Sequence, residues 1–128
     1  MSQFPTDIVC LGIGENGHIA FNDPDVANFN DHKLVKIVKL DHVCRQQQVN
    51  EKCFETLEQV PTEALTLTIP ALLKAKWMFC IVPFKNKAQA VYRTIHGDIS
   101  EKCPASILRR KEKSSLYLDT ESAQLLNL

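Results

Sequence analysis

A chain of 128 residues, 45% apolar and 23% charged, suits one globular domain with a single core. Its 15 basic residues balance 15 acidic ones, so the formal net charge is zero, and Lys33, Lys36 and Lys39 alone make no basic patch for nucleic acid. No run approaches the ~18 apolar residues of a membrane span, and the N-terminus has no charged stretch leading into an apolar core. The expectation is a cytoplasmic chain without a secretory signal. Five cysteines (Cys10, Cys44, Cys53, Cys80 and Cys103) form no C-x-x-C pair. They read as free thiols of a reducing compartment, with Cys10 and Cys80 buried in strands. His42, Cys44 and Cys53 match no closed zinc site by spacing, and no metal or cofactor is expected.

In chain order, Met1 to Thr6 form a lead-in. Asp7 to Ile13 is continuously apolar at its centre, which predicts a central strand covered on both faces. A glycine turn follows, and Asp23 to His32 reads as a surface loop. Lys33 to Leu40 is β-branched and eight residues long, which favours a strand. Asp41 caps a helix from His42 to Val49. The segment Asn50 to Val60 continues with Phe54 and Leu57 as anchors until Pro61. Ala64 to Ile69 alternates as a strand, and Pro70 opens a helix to Lys76. Trp77 to Val82 is a second buried-strand run. Asn86 caps the helix to His96, whose Ala88, Val91, Tyr92 and Ile95 share a face, and Gly97 takes the C′ position. Ser100 to Arg110 connects onward through a helical turn at Ser106 to Arg109. Ser115 to Leu118 is the last strand, and Asp119 or Thr120 caps a final helix through Leu126. This alternation predicts residues 1–128 to be a single α/β domain with a largely parallel sheet flanked by helices. Phe21, Trp77 and Phe79 are expected in the core, and His32, His42 and His96 on the surface.

The chemistry concentrates after the first strand, in Gly12-Ile13-Gly14-Glu15-Asn16-Gly17-His18-Ile19-Ala20-Phe21-Asn22-Asp23-Pro24, which holds three of the four glycines. The G-x-G-x-x-G spacing alone is weak evidence for a dinucleotide site. Asn22-Asp23-Pro24 would break a helix started at Gly17 almost at once, which is wrong for a helix opening against a pyrophosphate. The glycines therefore read as permitting close backbone approach to a small ligand, with His18 as the proton-transfer centre. Asp23 is its candidate orienter and Glu15 a second candidate. A turn-forming role for Asp23 before Pro24 is the structural alternative. For Lys87 the alternative is a solvated helix-start lysine.

This stretch resembles the signature of the glucosamine-6-phosphate deaminase/isomerase family, which is related to the 6-phosphogluconolactonases. The lactonases share a Gly-x-Gly-x-Asp-Gly-His core but continue differently, so Ile19-Ala20-Phe21-Asn22 favours the deaminase side. Val60-Pro61, Ala64-Leu65-Thr66, Leu72-Leu73, Lys87-Ala88 and Pro104-Ala105-Ser106-Ile107-Leu108 extend the resemblance. It implies a Rossmann-like sugar-phosphate isomerase fold and conversion of glucosamine 6-phosphate to fructose 6-phosphate and ammonia. His18 would open the sugar ring, with Asp23 at a family glutamate position and Asn16 at a family aspartate position. Gly14 and Gly17 would line the substrate, and Lys87 would meet its phosphate at a helix start. The two exchanges suit a sub-family acting on another amino-sugar phosphate, such as a galactosamine form.

Family members are about twice as long. The resemblance implies that this chain is the C-terminal half, without the phosphate loop and the aspartate that takes the C2 proton. A homo-oligomer, or a partner supplying the missing half, is expected to cover the exposed sheet. The alternatives are a non-catalytic sugar-phosphate-binding domain and a lactonase-like hydrolase, which needs no C2 base.

Overall fold

The computed structural model describes residues 3–127. Its central sheet has three parallel strands, side by side as β1 (Ile8–Leu11), β4 (Trp77–Val82) and β5 (Ser114–Leu118). Between β1 and β4 the chain forms β2 (Val35–Lys39), helix α1 (His42–Asn50), β3 (Glu63–Leu67) and helix α2 (Ile69–Leu73). Helix α3 (Ala88–His96) joins β4 to β5, followed by a 3₁₀ segment at Pro104–Arg110. Strands β2 and β3 do not join the sheet. They pair antiparallel as a separate ribbon, Val35 opposite Leu67 and Lys39 opposite Glu63. Order along the chain does not reveal this, because a strand–helix–strand sequence fits either pairing.

The core lies on one face of the sheet. Met78, Cys80 and Val82 of β4 pack with Leu72 of α2, Ala90 and Val91 of α3, and Ala105, Ile107 and Leu108 of the 3₁₀ segment. The other face is open. Register puts Ile8 beside Trp77 and Ile81 beside Tyr117, and these four are 55%, 41%, 50% and 53% exposed. The expectation of a first strand covered on both faces therefore fails: β1 is a half-covered edge strand, and Cys10 is exposed while Cys80 is buried. Trp77 is likewise not core. Its ring faces solvent under the Lys113 ammonium, 4.8 Å from the centroid. A continuous apolar run describes a strand with two covered faces, and in these residues only one is covered.

Smaller differences follow from local hydrogen bonding. Asp41 does cap α1, its carboxylate accepting from Cys44 N–H at 2.7 Å. Asn86 does not cap α3, which starts after a 3₁₀ turn at Lys85–Lys87. On α3, Ala88 and Val91 are buried as expected, but Tyr92 is exposed and Thr94 takes a core position. Gly97 ends the helix in extended backbone rather than the left-handed region. Among the described residues no final helix follows β5: Asp119 accepts from Ser122 N–H at 2.7 Å, but residues 120–125 form only turns. His32, His42 and His96 are exposed.

Candidate functional site

The glycine stretch begins where β1 ends, at the carboxyl edge of the sheet, the usual position for ligand sites in α/β proteins. Gly14 N–H donates to His18 O and Gly17 N–H to Gly14 O, both at 2.9 Å, closing a compact loop. The His18 imidazole lies over the Gly14 α-carbon, where a methyl group would fall inside the ring. Gly17 has φ +86°, and its α-carbon packs against Cys103. Both glycines thus serve packing within the protein, rather than only close approach of a ligand. The 3₁₀ segment fastens the loop from below, Ala105 N–H donating to Gly17 O at 2.9 Å.

The ribbon fastens the other end. Phe21 N–H donates to the Thr66 hydroxyl at 3.1 Å, and the buried Asn22 amide donates to Leu67 O at 2.9 Å. Asp23 is thereby turned inward and is fully buried. Its main-chain carbonyl accepts from Val26 and Ala27 N–H, so it does form a turn, but its side chain belongs to the site.

At the centre is Asn16, whose amide is fully used. Its oxygen accepts from His18 N–H at 3.0 Å and meets His18 Nδ1 at 2.5 Å. Its nitrogen donates to Asp41 Oδ2 at 2.7 Å and to Asp23 Oδ1 at 3.3 Å. Asp23 Oδ1 also lies 3.3 Å from His18 Nδ1, and Asp23 Oδ2 accepts from Asp41 N–H at 3.1 Å. His18 is 8% exposed. Burial lowers its pKa below 6.5 and outweighs Asp23, which pulls the other way. Lys87 lowers it further, against Asp41 and Glu51. Burial raises the Asp23 pKa despite the hydrogen bond from Asp41 and the His18 and Asn16 contacts. Both partners shift toward their neutral forms, so near neutral pH the imidazole is uncharged and able to accept a proton.

His18 lines a cleft of about 320 Å³ with Gly12, Gly14, Gln47, Glu51 and Lys87. Lys87 is buried at the carboxyl end of β4, its ammonium donating to Ile13 O at 2.8 Å and 3.6 Å from Glu51 Oε1. Of the expected site residues, His18, Gly14 and Lys87 line this cleft, Asn16 and Asp23 stand behind His18, and Gly17 packs against Cys103 instead of lining it. Glu15 is not among them: its carboxylate accepts from Asn86 at 2.8 Å, away from His18. Sequence reading misses three neighbours. Asp41 reads there only as a cap. Gln47 accepts from Glu15 N–H at 2.8 Å and donates to Glu51 at 3.1 Å. Gln47 on α1 and Glu51 at its C-cap stand one turn apart, so their i, i+4 spacing behind a fixed N-cap is a usable signal.

Donor atoms of His18, Asp23 and Cys44 lie within 4.8 Å of one another. Burial, with Asp23 and Asp41 nearby, pushes the Cys44 thiol up to about 12, so it keeps its proton as a neutral neighbour of Asp23. The trio His42, Cys44 and Cys53 is not assembled, since His42 and Cys53 are exposed while Cys44 is buried.

Residues 1–117 match the profile of the glucosamine-6-phosphate isomerases/6-phosphogluconolactonase family. Among curated relatives, a glucosamine-6-phosphate deaminase of Listeria monocytogenes serotype 4a is 39% identical over 126 residues, covering 98% of this chain and 52% of the relative. One from Bacillus cytotoxicus is 40% identical over 121 residues, covering 94% of this chain and 44% of the relative. A solved monomeric glucosamine-6-phosphate deaminase superposes with a TM-score of 0.85 at 38% identity, over 94% of this chain and 48% of that one. The 6-phosphogluconolactonase of Trypanosoma cruzi shares the fold, with a TM-score of 0.67 at 20% identity over 95% of this chain and 42% of that one. The chain spans about half the length of the curated relatives it matches.

Proposed function

This chain belongs to the glucosamine-6-phosphate isomerase/6-phosphogluconolactonase family, and on that premise we propose that it carries the ring-opening half of an amino-sugar-phosphate deaminase site. The substrate is a hexosamine 6-phosphate of the glucosamine type, which with water yields the ketose phosphate and ammonia. His18, uncharged, takes the proton of the anomeric hydroxyl and returns it to the ring oxygen, opening the ring. Asp23 and Asn16 orient His18, Gly14 and Gly17 keep the loop compact beneath the sugar, and Lys87 binds the phosphate. The base that takes the C2 proton comes from outside these residues. One observation carries the reading: a buried, hydrogen-bonded histidine and a buried lysine face the same cleft.

We further propose that the chain is one α/β unit corresponding to the C-terminal half of its relatives, working in the cytoplasm. The five free cysteines suit a reducing compartment. A further polypeptide segment, or a second copy of the chain, covers the open sheet face. The accessible surface of 7924 Å² supports this, because a monomer of 14.5 kDa is expected to expose about 6,900 Å². The excess of roughly 1,000 Å² is about one side of a standard interface.

The test measures ammonium and fructose 6-phosphate release from glucosamine 6-phosphate, by the chain alone and with the complementary half of a relative. Turnover only in the complemented sample, lost on His18→Gln, is the expected result. A complemented, folded sample without turnover overturns the deaminase reading. Hydrolysis of 6-phosphogluconolactone by that sample would favour the lactonase. Saturable binding of the amino sugar phosphate without any turnover, weakened by Lys87→Ala, would favour a binding domain.

A further inference from the structure

Asn16 has two donors and two acceptor positions, and all four are used. An amide can be turned over at no cost to its shape, so its neighbours decide which end points where. Here the NH₂ faces two carboxylates, Asp41 at 2.7 Å and Asp23 at 3.3 Å. Turning the amide over would set its oxygen against both carboxylates and its NH₂ against the His18 N–H. The oxygen is therefore held at His18 Nδ1, 2.5 Å away. Since that oxygen only accepts, Nδ1 must carry the proton. Nε2 has no hydrogen-bond partner among the described residues, and the ring lines the cleft.

We propose that Asp41 is a positioning residue of this site: through the Asn16 amide it fixes His18 as the Nδ1–H tautomer and leaves Nε2 as the basic nitrogen. The shorter of the two Asn16 donor contacts is the one to Asp41, and Asp41 is itself anchored twice. Its Oδ1 caps α1 through Cys44 N–H, and its own N–H is held by Asp23. The helix N-terminus and the histidine are thus tied through one carboxylate, Oδ1 serving the helix and Oδ2 serving the site. The same geometry accounts for an amide at position 16. A carboxylate there would have no donor to offer and would stand against Asp41 and Asp23. The charged groups facing His18 are Asp23, Asp41 and Glu51 with Lys87 opposing, and of these Asp41 and Asp23 receive the Asn16 amide.

The inference bears on the ring-opening role given to His18 above, but its test does not depend on turnover. The ¹⁵N shifts of the four histidines report the tautomer directly in the 128-residue chain, with His18 assigned by loss of its signals in His18→Gln. In the wild type above the His18 pKa, the protonated nitrogen is expected to be Nδ1. A dominant Nε2–H form would overturn the proposal at once. Asp41→Asn keeps a helix cap, because asparagine caps as well as aspartate. It places an NH₂ against the Asn16 NH₂, which favours the turned-over amide, and a several-fold rise in the Nε2–H population is expected. The exchange Asn16→Asp with Asp41→Asn and Asp23→Asn reverses the pattern without setting two carboxylates together: the carboxylate now at position 16 accepts from Nδ1–H and from the amides now at positions 41 and 23. Wild-type ¹⁵N shifts in a folded Asp41→Asn chain would refute the proposal. So would failure of the folded triple variant to regain the Nδ1–H form, which also decides the matter if the single variant does not fold. A purely structural role for Asp41 would change stability without moving the tautomer.

Discussion

Gly14→Ala tests the site's construction most directly. The added methyl falls inside the His18 imidazole, so the ring and the new side chain cannot coexist. Two costs follow. Forcing an extra carbon into a packed site costs about 1–3 kcal/mol. Displacing the ring takes the Nδ1 contact away from both the Asn16 oxygen and Asp23, about 1–3 kcal/mol more. Together these are roughly 2–6 kcal/mol. With about 2.1 cal/mol/K of unfolding entropy per residue over 128 residues, the melting temperature should fall by roughly 7–22 °C. The same displacement brings the ring into water. Burial is the largest cause of its lowered pKa, so the His18 pKa should rise toward 6.5. Calorimetry and an NMR titration measure the two effects. A Gly14→Ala chain with unchanged melting temperature and unchanged His18 pKa would refute the account of why glycine stands there.

Three more outcomes can be stated. Because burial disfavours charged His18, the unfolded chain binds its proton first, and stability should fall as pH drops below 6.5. His18→Gln should flatten that slope in denaturant titrations at pH 5 to 7. Asp23→Ala removes the acceptor for Asp41 N–H and one acceptor of Asn16, and should cost about 1–3 kcal/mol in urea unfolding. Glu51→Gln removes a half-exposed carboxylate beside Lys87. Calorimetric titration with inorganic phosphate should show affinity raised about 2- to 5-fold, the scale of a surface ion pair. A decrease would mean that Glu51 holds Lys87 in place rather than competing for it.

Much of the site is legible in the sequence because it is local. His18, Asn16 and Asp23 lie within eight residues, and a glycine loop closed by its own backbone hydrogen bonds keeps neighbours in sequence as neighbours in space. Lys87 is legible only through resemblance, since a lysine before a helix is ordinary. The distant partners are hidden. Nothing in the string says that the oxygen of Asp41 left over from capping reaches back to Asn16, or that Thr66 and Leu67 hold Phe21 and Asn22. In the fold, β4 is recognisable as a strand from its apolar run, but only Met78, Cys80 and Val82 are buried while Trp77 and Ile81 are exposed. β1 misleads because side chains suited to a covered face look the same when that face is bare.

The contact between Gly17 and Cys103 makes the protein its own probe. The Cys103 thiol is 4% exposed and lies beneath the α-carbon of Gly17, which the chain ties down through Ala105 N–H. Cys103 also borders a small pocket with Arg93, Ser100 and Lys102, so a reagent can approach it from that side while the loop carrying His18 covers the other. The rate at which Cys103 is alkylated, set against the exposed Cys10 and Cys53 of the same molecule, therefore follows how tightly that loop packs on it. A ligand that holds the loop closed would be read as a slower reaction at one cysteine and no change at the other two.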